Sequence, residues 1–318
     1  MVKGARAGLL TGTLMVGVLV ALILVIISSG AKAQAQVVTG DPVLVAAGDI
    51  AQCTTQNDEA TADLLGTMPG ATVAALGDNA YPHGSEQDYT NCYTPSWGTY
   101  KAQTLPTTGN HEYDTAGASG YFNYFGAELA PFGGAASDPS KGYYSYDLGS
   151  WHVVVLNSNC RPVGGCTGTS PQVQWLKDDL AAHPSACTLA YWHAPRFSSS
   201  QTSTPLRAFW NALYAARAEV VLNGHRHNYE RFAEQTPGGV AKPGRGIREF
   251  VVGTGGGSLA AFNTTIWANS QVRDASTHGV LKLTLHPNSY DWEFVPVAGQ
   301  SFTDSSLNQT PPLTTSCH

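Results

Sequence analysis

The sequence predicts an α/β protein in which a mixed β-sheet, or two sheets packed face to face, is flanked by helices. Three observations support this prediction. Short apolar runs of strand length recur along the chain, amphipathic stretches lie between several of them, and two apolar runs near the C-terminus flank a turn-like His-Pro-Asn-Ser segment. Alternating strands and helices are typical of α/β folds, and the two final runs indicate an antiparallel hairpin.

The predicted strands are apolar runs of four to eight residues. They cover Val43–Ala47, Thr72–Leu76, Trp151–Leu156, Thr188–Trp192, Glu219–Leu222, Glu249–Val252 and, in the hairpin, Val280–Leu285 and Tyr290–Val297. The predicted helices cover Glu59–Met68, Pro171–Ala182 and Leu206–Ala216. In the second helix, Val173, Leu176 and Leu180 are spaced to lie on one face.

The composition limits the classes of function. The chain has 318 residues, of which 13% are charged, and a formal net charge of -6. These values fit a globular protein that is neither disordered nor basic enough to bind nucleic acid. Because an acidic protein has no general attraction for anions, chemistry on a phosphate would need a local positive centre such as a metal ion.

The first 33 residues differ from the rest of the chain. Lys3 and Arg6 precede an uncharged run from Ala7 to Ile27, and the small-residue segment Ala31-Lys32-Ala33 follows. We interpret residues 1–33 as a secretory signal peptide, with cleavage after Ala33 or Ala35, and expect a secreted or extracytoplasmic protein. An uncleaved membrane anchor is the alternative, because about 20 apolar residues suffice to span a bilayer.

Residues 34–318 contain no linker or break in composition that would separate two large domains. A segment of this length fits one large α/β unit. We therefore predict a single domain over residues 34–318. Association with a membrane is expected only if the leader is not cleaved.

Six cysteines form an even set in a chain that we expect to be exported, so three disulfides are plausible. Cys160 and Cys166 bracket the turn-like Arg-Pro-Val-Gly-Gly and are the favoured pair. Pairing of Cys53 with Cys92 and of Cys187 with Cys317 is a guess. The alternative, a cysteine zinc site, lacks any Cys-x-x-Cys spacing.

Five short polar clusters each follow an apolar run, as expected if several loops converge on one site. Each cluster alone has an ordinary structural interpretation, since Gly-Asp is often a turn and a single His after a strand is often a core residue. All five carry oxygen or imidazole groups, which makes that interpretation improbable for the set. They are Gly48-Asp49, Gly77-Asp78-Asn79-Ala80-Tyr81, Gly109-Asn110-His111-Glu112, His193-Ala194-Pro195 and Gly224-His225-Arg226-His227.

The residue types in these clusters are those that a pair of metal ions needs. Two ions held ~3.5 to 4 Å apart need a carboxylate that can touch both, and separate ligands for each. Hard cations prefer oxygen, imidazole suits borderline transition metals, and an Asn amide oxygen adds a ligand without charge. The candidate ligands are Asp49, Asp78, Asn110, His193, His225 and His227.

The ordered series Gly-Asp, Gly-Asp-x-x-Tyr, Gly-Asn-His-Glu, a lone strand-end His and Gly-His-x-His resembles the calcineurin-like metallophosphoesterases, and within them the purple acid phosphatases. Many members of the wider superfamily have Asp-x-His in the first motif, whereas the residue two after Asp49 is Ala51. The subgroup instead has a Tyr three residues after the second Asp, which is Tyr81 here. The resemblance runs from about Val43 to Val297, and it implies a four-layer sandwich of two mixed β-sheets flanked by helices.

The resemblance also implies a role for each candidate residue. Two metal ions are implied, Fe(III) at one site and divalent Fe, Zn or Mn at the other, with a metal-bound hydroxide that attacks phosphorus in line. His111 would donate a hydrogen bond or proton to the leaving oxygen, and Glu112 would orient His111. Asn110 and His111 would also contact substrate. The implied ligands are Asp49, Tyr81 and His227 for Fe(III), Asn110, His193 and His225 for the divalent ion, and Asp78 as the bridge.

The chain departs from plant-type members after the fourth motif, where further histidines are replaced by Arg196-Phe197-Ser198-Ser199-Ser200-Gln201. Arg196 is a candidate phosphate clamp, with an ordinary surface arginine as the alternative. We expect the chain to lack the amino-terminal fibronectin-like domain of the plant enzymes. The implied protein is a minimal metallophosphoesterase catalytic domain.

Two other patterns do not carry a function. The Gly253–Ser258 segment lacks the Gly-Lys-Ser/Thr ending of a P-loop and is interpreted as a flexible loop after a strand, near the site. The Ser198–Ser200 run lacks the Gly-x-Ser-x-Gly elbow of a serine hydrolase.

We therefore expect a metal-dependent phosphoric ester hydrolase that acts on small phosphomonoesters. The first alternative is a phosphodiesterase or nucleotidase with the same metal centre, because the outer loops select the ester. The second is a secreted or surface binding protein that keeps the fold without turnover.

Overall fold

The structure of the protein is a computed structural model that describes residues 1, 40–132, 141–185, 187–200, 206–309, 313 and 315–318. The chain divides into two compact units, Met1–Val37 and Val38–His318, and every element below belongs to the second. Apart from Met1, the predicted leader lies outside the described residues, so the leader and the domain boundary at residue 34 stay predictions. Within the described ranges, no helix has both the length and the apolar character needed to cross a membrane.

The strands form two sheets. Their bounds are β1 Val43–Ala47, β2 Thr72–Ala75, β3 Tyr144–Leu148, β4 Trp151–Val155, β5 Cys187–Tyr191, β6 Val220–Asn223, β7 Tyr229–Phe232, β8 Arg248–Val252, β9 Ser270–Asp274, β10 Gly279–His286 and β11 Ser289–Pro296. The smaller sheet has the order β11-β10-β1-β2, and the larger has the order β3-β4-β5-β6-β8-β7-β9.

Both sheets are mixed. Strands β1 and β2 are parallel, and β1 also pairs with β10 in the antiparallel sense. In the larger sheet, β4, β5, β6 and β8 are parallel, whereas β3, β7 and β9 pair antiparallel with their neighbours. The two mixed sheets predicted from the sequence are confirmed, and so is the hairpin of β10 and β11.

Helices connect and cover the strands. The α-helices are α1 Asn57–Gly66, α2 Glu86–Asp88, α3 Ser119–Leu129, α4 Pro171–Ala182 and α5 Arg207–Ala215. The shorter helical turns are Tyr89–Tyr93, Trp97–Gln103, His111–Asp114, Ala116–Ala118 and Ala130–Phe132.

The strand β4 shows how the layers are stacked. Every residue of β4 is buried. Val153 and Val155 belong to the core that also contains residues of β1 and β10, whereas Val154 belongs to a second core with residues of α4 and α5. Because alternate side chains of a strand point to opposite faces, the larger sheet packs on the smaller sheet on one side and on helices on the other. The flanked two-sheet architecture is therefore confirmed.

Strands β3, β7 and β9 and helices α2 and α3 were not predicted from the sequence, and for the strands the reasons are physical. Strands β3 and β9 lie at the two edges of the larger sheet and carry polar residues, so they lack a long apolar run. Strand β7 is fully buried but contains Glu230 and Arg231. Their charges are balanced inside the protein, where Arg231 pairs with Asp304 and Glu230 accepts hydrogen bonds from Ser199.

Three disulfides are present, and they are the predicted pair Cys160–Cys166 and the two guessed pairs Cys53–Cys92 and Cys187–Cys317. The last bond ties the first residue of β5 to the C-terminus across a sequence separation of 130 residues. A crosslink of such long range removes much conformational freedom from the unfolded chain.

A buried histidine on β4 ties helix α4 to the edge of the larger sheet. The Nδ1 atom of His152 lies 3.0 Å from Asp147 on β3, and Nε2 lies 2.9 Å from Asp179 on α4. Burial lowers the pKa of His152, but the hydrogen bonds to Asp179 and Asp147 outweigh burial and raise the pKa above 6.5. Burial raises the pKa of Asp179, but the hydrogen bonds from His152 and Ser145 and the charges of His152 and His183 together outweigh burial and leave the pKa below 3.8.

We expect His152→Phe to reduce the free energy of unfolding by about 2–4 kcal/mol at pH 6, and by less at pH 9. The raised pKa of His152 gives stability that is complete below pH 6.5 and is lost as pH rises through the folded-state value. The lowered pKa of Asp179 gives stability that is present above pH 3.8 and is lost in acid.

Urea unfolding of the metal-loaded protein at both pH values measures the effect. His83→Phe is the matched control, because His83 is exposed where it pairs with Asp114. An equal loss of stability for His152→Phe at pH 6 and pH 9 would contradict the charged pairing.

Candidate metal centre

The structure brings together the seven predicted ligand residues at the ends of strands from both sheets. Asp49 and Asp78 follow β1 and β2, His193 follows β5, and His225 and His227 follow β6. The remaining two, Tyr81 and Asn110, stand on loops, and both place an oxygen near these side chains.

The first group of donor atoms surrounds the phenol of Tyr81. Its Oη lies 3.1 Å from Asp49 Oδ1, 3.5 Å from Asp78 Oδ2 and 3.0 Å from His227 Nε2. His227 Nε2 also lies 3.2 Å from Asp49 Oδ1. These residues are the ones that the family resemblance assigns to Fe(III), with the bridging Asp78.

The second group of donor atoms surrounds His193 and shares the same oxygen of Asp78. His193 Nε2 lies 3.1 Å from Asp78 Oδ2, 3.2 Å from Asn110 Oδ1 and 3.1 Å from His225 Nδ1. Ligand atoms of Asp78, His193 and His225 all lie within 4.8 Å of one another.

The donor set fits a pair of metal ions. Ligands bound at ~2.1 Å with right angles between them stand ~3.0 Å apart, close to the separations within both groups. The Nδ1 atoms of His193 and His227 face the carbonyl oxygens of Leu76 and Ser258, at 2.9 and 2.8 Å. We assign protons to those nitrogens, which leaves each Nε2 directed at a carboxylate oxygen. Each Nε2 is therefore the position at which either a proton or a metal ion offsets the negative charge of the carboxylate.

The two buried carboxylates draw positive charge to the neighbouring imidazoles. Burial lowers the pKa of His193, but the charge and hydrogen bond of Asp78, together with the charge of Asp49 and the hydrogen bond to Leu76, outweigh burial and raise the pKa to about 9. Burial likewise lowers the pKa of His227, but Asp49 raises the pKa to about 9. A metal ion would supply the same positive charge and displace those protons.

The same surroundings shift the pKa values of His225 and Tyr81 in opposite directions. Burial and the positive charges of His193 and Arg226 lower the pKa of His225 to about 3, so its lone pair stays available to a metal. Burial and the carboxylates of Asp49 and Asp78 raise the pKa of the Tyr81 phenol well above its usual range. A phenolate at this position therefore needs a strong cation beside it.

Each carboxylate uses one oxygen for the centre and the other for the backbone. Asp49 Oδ2 accepts the amide of His225 at 2.7 Å, and Asp78 Oδ1 accepts the amide of His111 at 2.9 Å. Asp49, Asp78 and His225 also have positive φ angles of 60°, 50° and 67°. Such strained backbone clusters at functional sites and persists where surrounding bonds fix it.

Two glycines let the loops approach the ligands. Gly77 has a φ of 86°, and a Cβ there would lie 2.8 Å from His193 Nδ1. A Cβ on Gly109 would overlap both the carboxylate and the amide nitrogen of Asp78. Any side chain at either position would displace a candidate ligand.

Glu112 is buried beneath the centre, and its partners differ from the predicted ones. Its Oε2 accepts the amides of Asp78 and Gly109, at 3.0 and 2.6 Å, and its Oε1 accepts the amide of Asn79 at 2.8 Å and the hydroxyl of Tyr89 at 3.1 Å. Burial and the charge of Asp78 raise the pKa of Glu112 to about 7. Glu112 therefore fixes the loops that carry Asp78 and Asn110, and these four bonds go to groups other than the His111 ring that it was predicted to orient.

Other groups orient His111. Its Nδ1 lies 2.5 Å from the carbonyl oxygen of Pro82 and 3.6 Å from Asp114 Oδ2, and its Nε2 lies 3.9 Å from Asp78 Oδ2. The ring also contacts that of Tyr81 edge to face, with centroids 4.8 Å apart. His111 thus stands at the rim of the centre with its side chain 35% exposed, which leaves it accessible to a ligand.

Arg196 has protein partners instead of the open position expected of a phosphate clamp. Its Nε donates to the carbonyl oxygen of Pro237 at 3.0 Å, and its guanidinium carbon lies 4.9 Å from the centre of the Phe197 ring. Its backbone amide donates to Glu249 at 3.1 Å. Because the guanidinium of Arg196 is bonded to Pro237 and packed on Phe197, the structure gives no support to its predicted role in binding phosphate.

The glycine-rich segment 253–258 is close to the centre, as predicted, but it is packed rather than loose. Residues Gly253–Gly257 are buried, the amide of Gly257 donates to the carbonyl oxygen of Asp49 at 2.7 Å, and the carbonyl oxygen of Ser258 faces His227. The sequence analysis missed this role of Ser258 and that of Leu76, because a backbone carbonyl leaves no trace in residue identity. The glycine run was the one signal available.

Comparison with known proteins agrees with this geometry. A family model described as calcineurin-like phosphoesterase matches residues 37–229, which is more than half of the chain. The chain belongs to the calcineurin-like phosphoesterase family. The resemblance inferred from the five motifs is confirmed.

Curated relatives of this phosphoesterase-family chain are purple acid phosphatases of Arabidopsis thaliana. Purple acid phosphatase 15 is 27% identical over 192 residues, which are 50% of this chain and 35% of that protein. Purple acid phosphatase 21 is 27% identical over 255 residues, which are 72% of this chain and 57% of that protein. The chain therefore spans from about a third to somewhat over half of the length of these relatives.

Solved structures show the same fold. The purple acid phosphatase PPD1 from seeds of yellow lupin (Lupinus luteus) matches with a TM-score of 0.63 at 20% identity, over 83% of this chain and 53% of that one. GAP50, described as the anchor in the inner membrane complex of Plasmodium, matches with a TM-score of 0.61 at 13% identity, over 87% and 89%. At these identities the likeness is one of fold.

We expect Glu112→Gln to reduce the free energy of unfolding by about 2–3 kcal/mol and to weaken metal retention. A glutamine side chain would direct an NH2 group at amides that already donate, so the loops carrying Asp78 and Asn110 would shift. Urea unfolding and metal content after dialysis measure the two effects. Glu59→Gln, at an exposed position of α1, is the control, and unchanged stability and metal content in Glu112→Gln would refute the assigned role.

Proposed function

We propose that the protein is an exported, metal-dependent phosphatase that hydrolyses small phosphomonoesters at a centre of two metal ions. One observation carries the proposal: two groups of four donor atoms share the Oδ2 atom of Asp78. A single bridging oxygen with separate ligands on each side is the arrangement of a two-metal hydrolase.

Each proposed metal has its own ligands. The phenol of Tyr81 with Asp49 and His227 suits Fe(III), because a hard, highly charged cation stabilises a phenolate. The neutral set of Asn110, His193 and His225 suits a divalent ion such as Fe, Zn or Mn. When bound, such a pair supplies Lewis acidity that activates water and neutralises charge on the phosphoryl oxygens.

The protein itself supplies proton transfer and orientation. The proposed proton donor is His111, whose Nδ1 is held by the carbonyl oxygen of Pro82 while Nε2 is directed toward the centre. A donor in this position lowers the barrier by protonating the leaving oxygen as the ester bond breaks. Asn110, whose side chain reaches the second donor group, is proposed to contact the phosphate as well.

Export is proposed on two observations. Residues 1–33 have the pattern of a signal peptide, and the six cysteines are all paired in disulfides. Structural disulfides form and persist in oxidising compartments.

We expect Asp78→Asn to lower kcat on an aryl phosphate by about 100-fold or more and to reduce the bound metal below the two ions proposed for the wild type. The amide keeps the shape of the carboxylate but loses the charge that a bridging ligand supplies. Elemental analysis is run beside assays on an aryl phosphate, a bis-aryl phosphate and nucleotides. Asp63→Asn, at an exposed position of α1, is the matched control.

The three substrates separate the alternatives. Activity on the monoester that is lost in Asp78→Asn supports the phosphatase, whereas preference for the bis-aryl ester or for nucleotides would favour a phosphodiesterase or nucleotidase. Full activity in Asp78→Asn would overturn the mechanism. A folded wild type that takes up no metal would indicate a binding protein.

Tyr81→Phe tests the ligand expected to mark Fe(III). We expect the loaded wild type to absorb visible light through charge transfer from the phenolate, and the variant to lose this band. Tyr214→Phe, on helix α5, is the control and should keep it. A band that persists in Tyr81→Phe would refute phenolate ligation.

A further inference from the structure

A cavity of about 380 Å³ opens directly beside the candidate metal centre. Tyr81 and His227, which belong to the first donor group, form one end of the cavity. Pro82, whose carbonyl oxygen holds His111, forms part of the wall. The cavity thus shares two lining residues with the first donor group and a third with the contact that holds the proposed proton donor.

Most of the exposed surface of the cavity wall is apolar. The Cys53–Cys92 disulfide and Pro82 line it together with the polar residues Gln52, Thr54 and Ser258. An apolar cavity of about 150 Å³ suffices to hold benzene in another protein, so this cavity has room for a bicyclic ring. Its volume and lining therefore fit an aromatic or alkyl group better than a strongly hydrated one.

Apart from His227, which belongs to the candidate centre, Asp88 is the charged residue among the described residues that line the cavity. Asp88 lies in the wall, and its carboxylate accepts the amides of His83 and Ser85, at 3.2 and 3.0 Å, and the Ser85 hydroxyl at 2.7 Å. Among the described residues that line the cavity, none is a lysine or an arginine. A second anionic group on a substrate would meet a carboxylate there instead of a compensating cation.

We propose that this cavity is a leaving-group subsite that selects phosphomonoesters of uncharged aromatic or apolar alcohols. The inference rests on the proposed function, because it places the phosphate at the centre and directs the ester oxygen toward the cavity. It narrows the substrate class: bisphosphates and nucleoside polyphosphates are disfavoured. The specificity then resides in the cavity wall, separate from the metal ligands.

The test fills the cavity without touching the centre. Thr54→Trp introduces an indole at an exposed lining residue, and Thr67→Trp, at an exposed position after α1, is the matched control outside the described lining. We expect Thr54→Trp to lower kcat/KM for 1-naphthyl phosphate about tenfold and that for glycerol 2-phosphate less than about twofold. The control should change neither.

Binding to the metal-free protein gives a second readout that needs no turnover. We expect 1-naphthol fluorescence to report binding that is about tenfold weaker in Thr54→Trp than in the wild type or Thr67→Trp. Circular dichroism checks that the variants are folded.

Two esters that differ by one carboxylate on the aromatic ring test the electrostatic part. We expect the wild type to prefer phenyl phosphate to 4-carboxyphenyl phosphate severalfold, and Thr54→Arg to reduce that preference because it places a cation in the wall. An equal preference in the wild type and Thr54→Arg would contradict the assigned charge selection.

The outcomes separate the two proposals. If both esters are hydrolysed but neither naphthol binding nor the ratio of the two kcat/KM values changes in Thr54→Trp, the subsite is overturned and the phosphatase stands. If naphthol binds in a Thr54-dependent way but the metal-loaded protein hydrolyses no ester, the cavity stands as an apolar binding site and the phosphatase is overturned.

Discussion

The constraint on which this structure depends is the burial of three neighbouring carboxylates. Asp49, Asp78 and Glu112 are each at most 2% exposed. Burying carboxylates costs several kcal/mol each unless hydrogen bonds or cations compensate. The charge of Glu112 is compensated by hydrogen bonds from three backbone amides and the Tyr89 hydroxyl. In contrast, Asp78 faces the imidazole of His193, and Asp49 faces that of His227. The fold therefore buries the carboxylates of Asp49 and Asp78 where positive charge, from a protonated imidazole or a metal ion, is needed to compensate them.

This arrangement explains why the loops are strained and closely packed. One oxygen of Asp49 holds the His225 amide and one oxygen of Asp78 holds the His111 amide, while the other oxygens face the centre. The bonds that aim the ligands are the same bonds that hold residues at positive φ. Since both sheets contribute strand ends, the centre also links the smaller sheet to the larger one. Strain, packing and charge thus belong to one network.

The sequence predicted the parts of this network that depend on residue type. Strand β1 and helix α4 were predicted with their observed bounds, because each has the apolar spacing of its class. Six candidate ligands were found because carboxylate, amide and imidazole groups recur after apolar runs, and the family resemblance added Tyr81. Residue type could not reveal that Glu112 serves the backbone, that Arg196 is held by Pro237, or that Ser258 and Leu76 act through carbonyl oxygens. Those roles depend on tertiary geometry.

The residues of the candidate metal centre and the residues that would select its substrate are subject to different constraints. The fold alone does not determine activity, since a protein described as a membrane-complex anchor shares it with a TM-score of 0.61. The donor atoms restrict the chemistry, because only certain sets of oxygen and nitrogen ligands can hold two hard cations around one bridging oxygen. The cavity wall beside Tyr81 contains the Cys53–Cys92 disulfide, Pro82 and Asp88, whose carboxylate accepts hydrogen bonds from its own loop. The metal chemistry requires none of these residues. The proposed selection of the leaving group can therefore vary while the candidate metal centre stays the same.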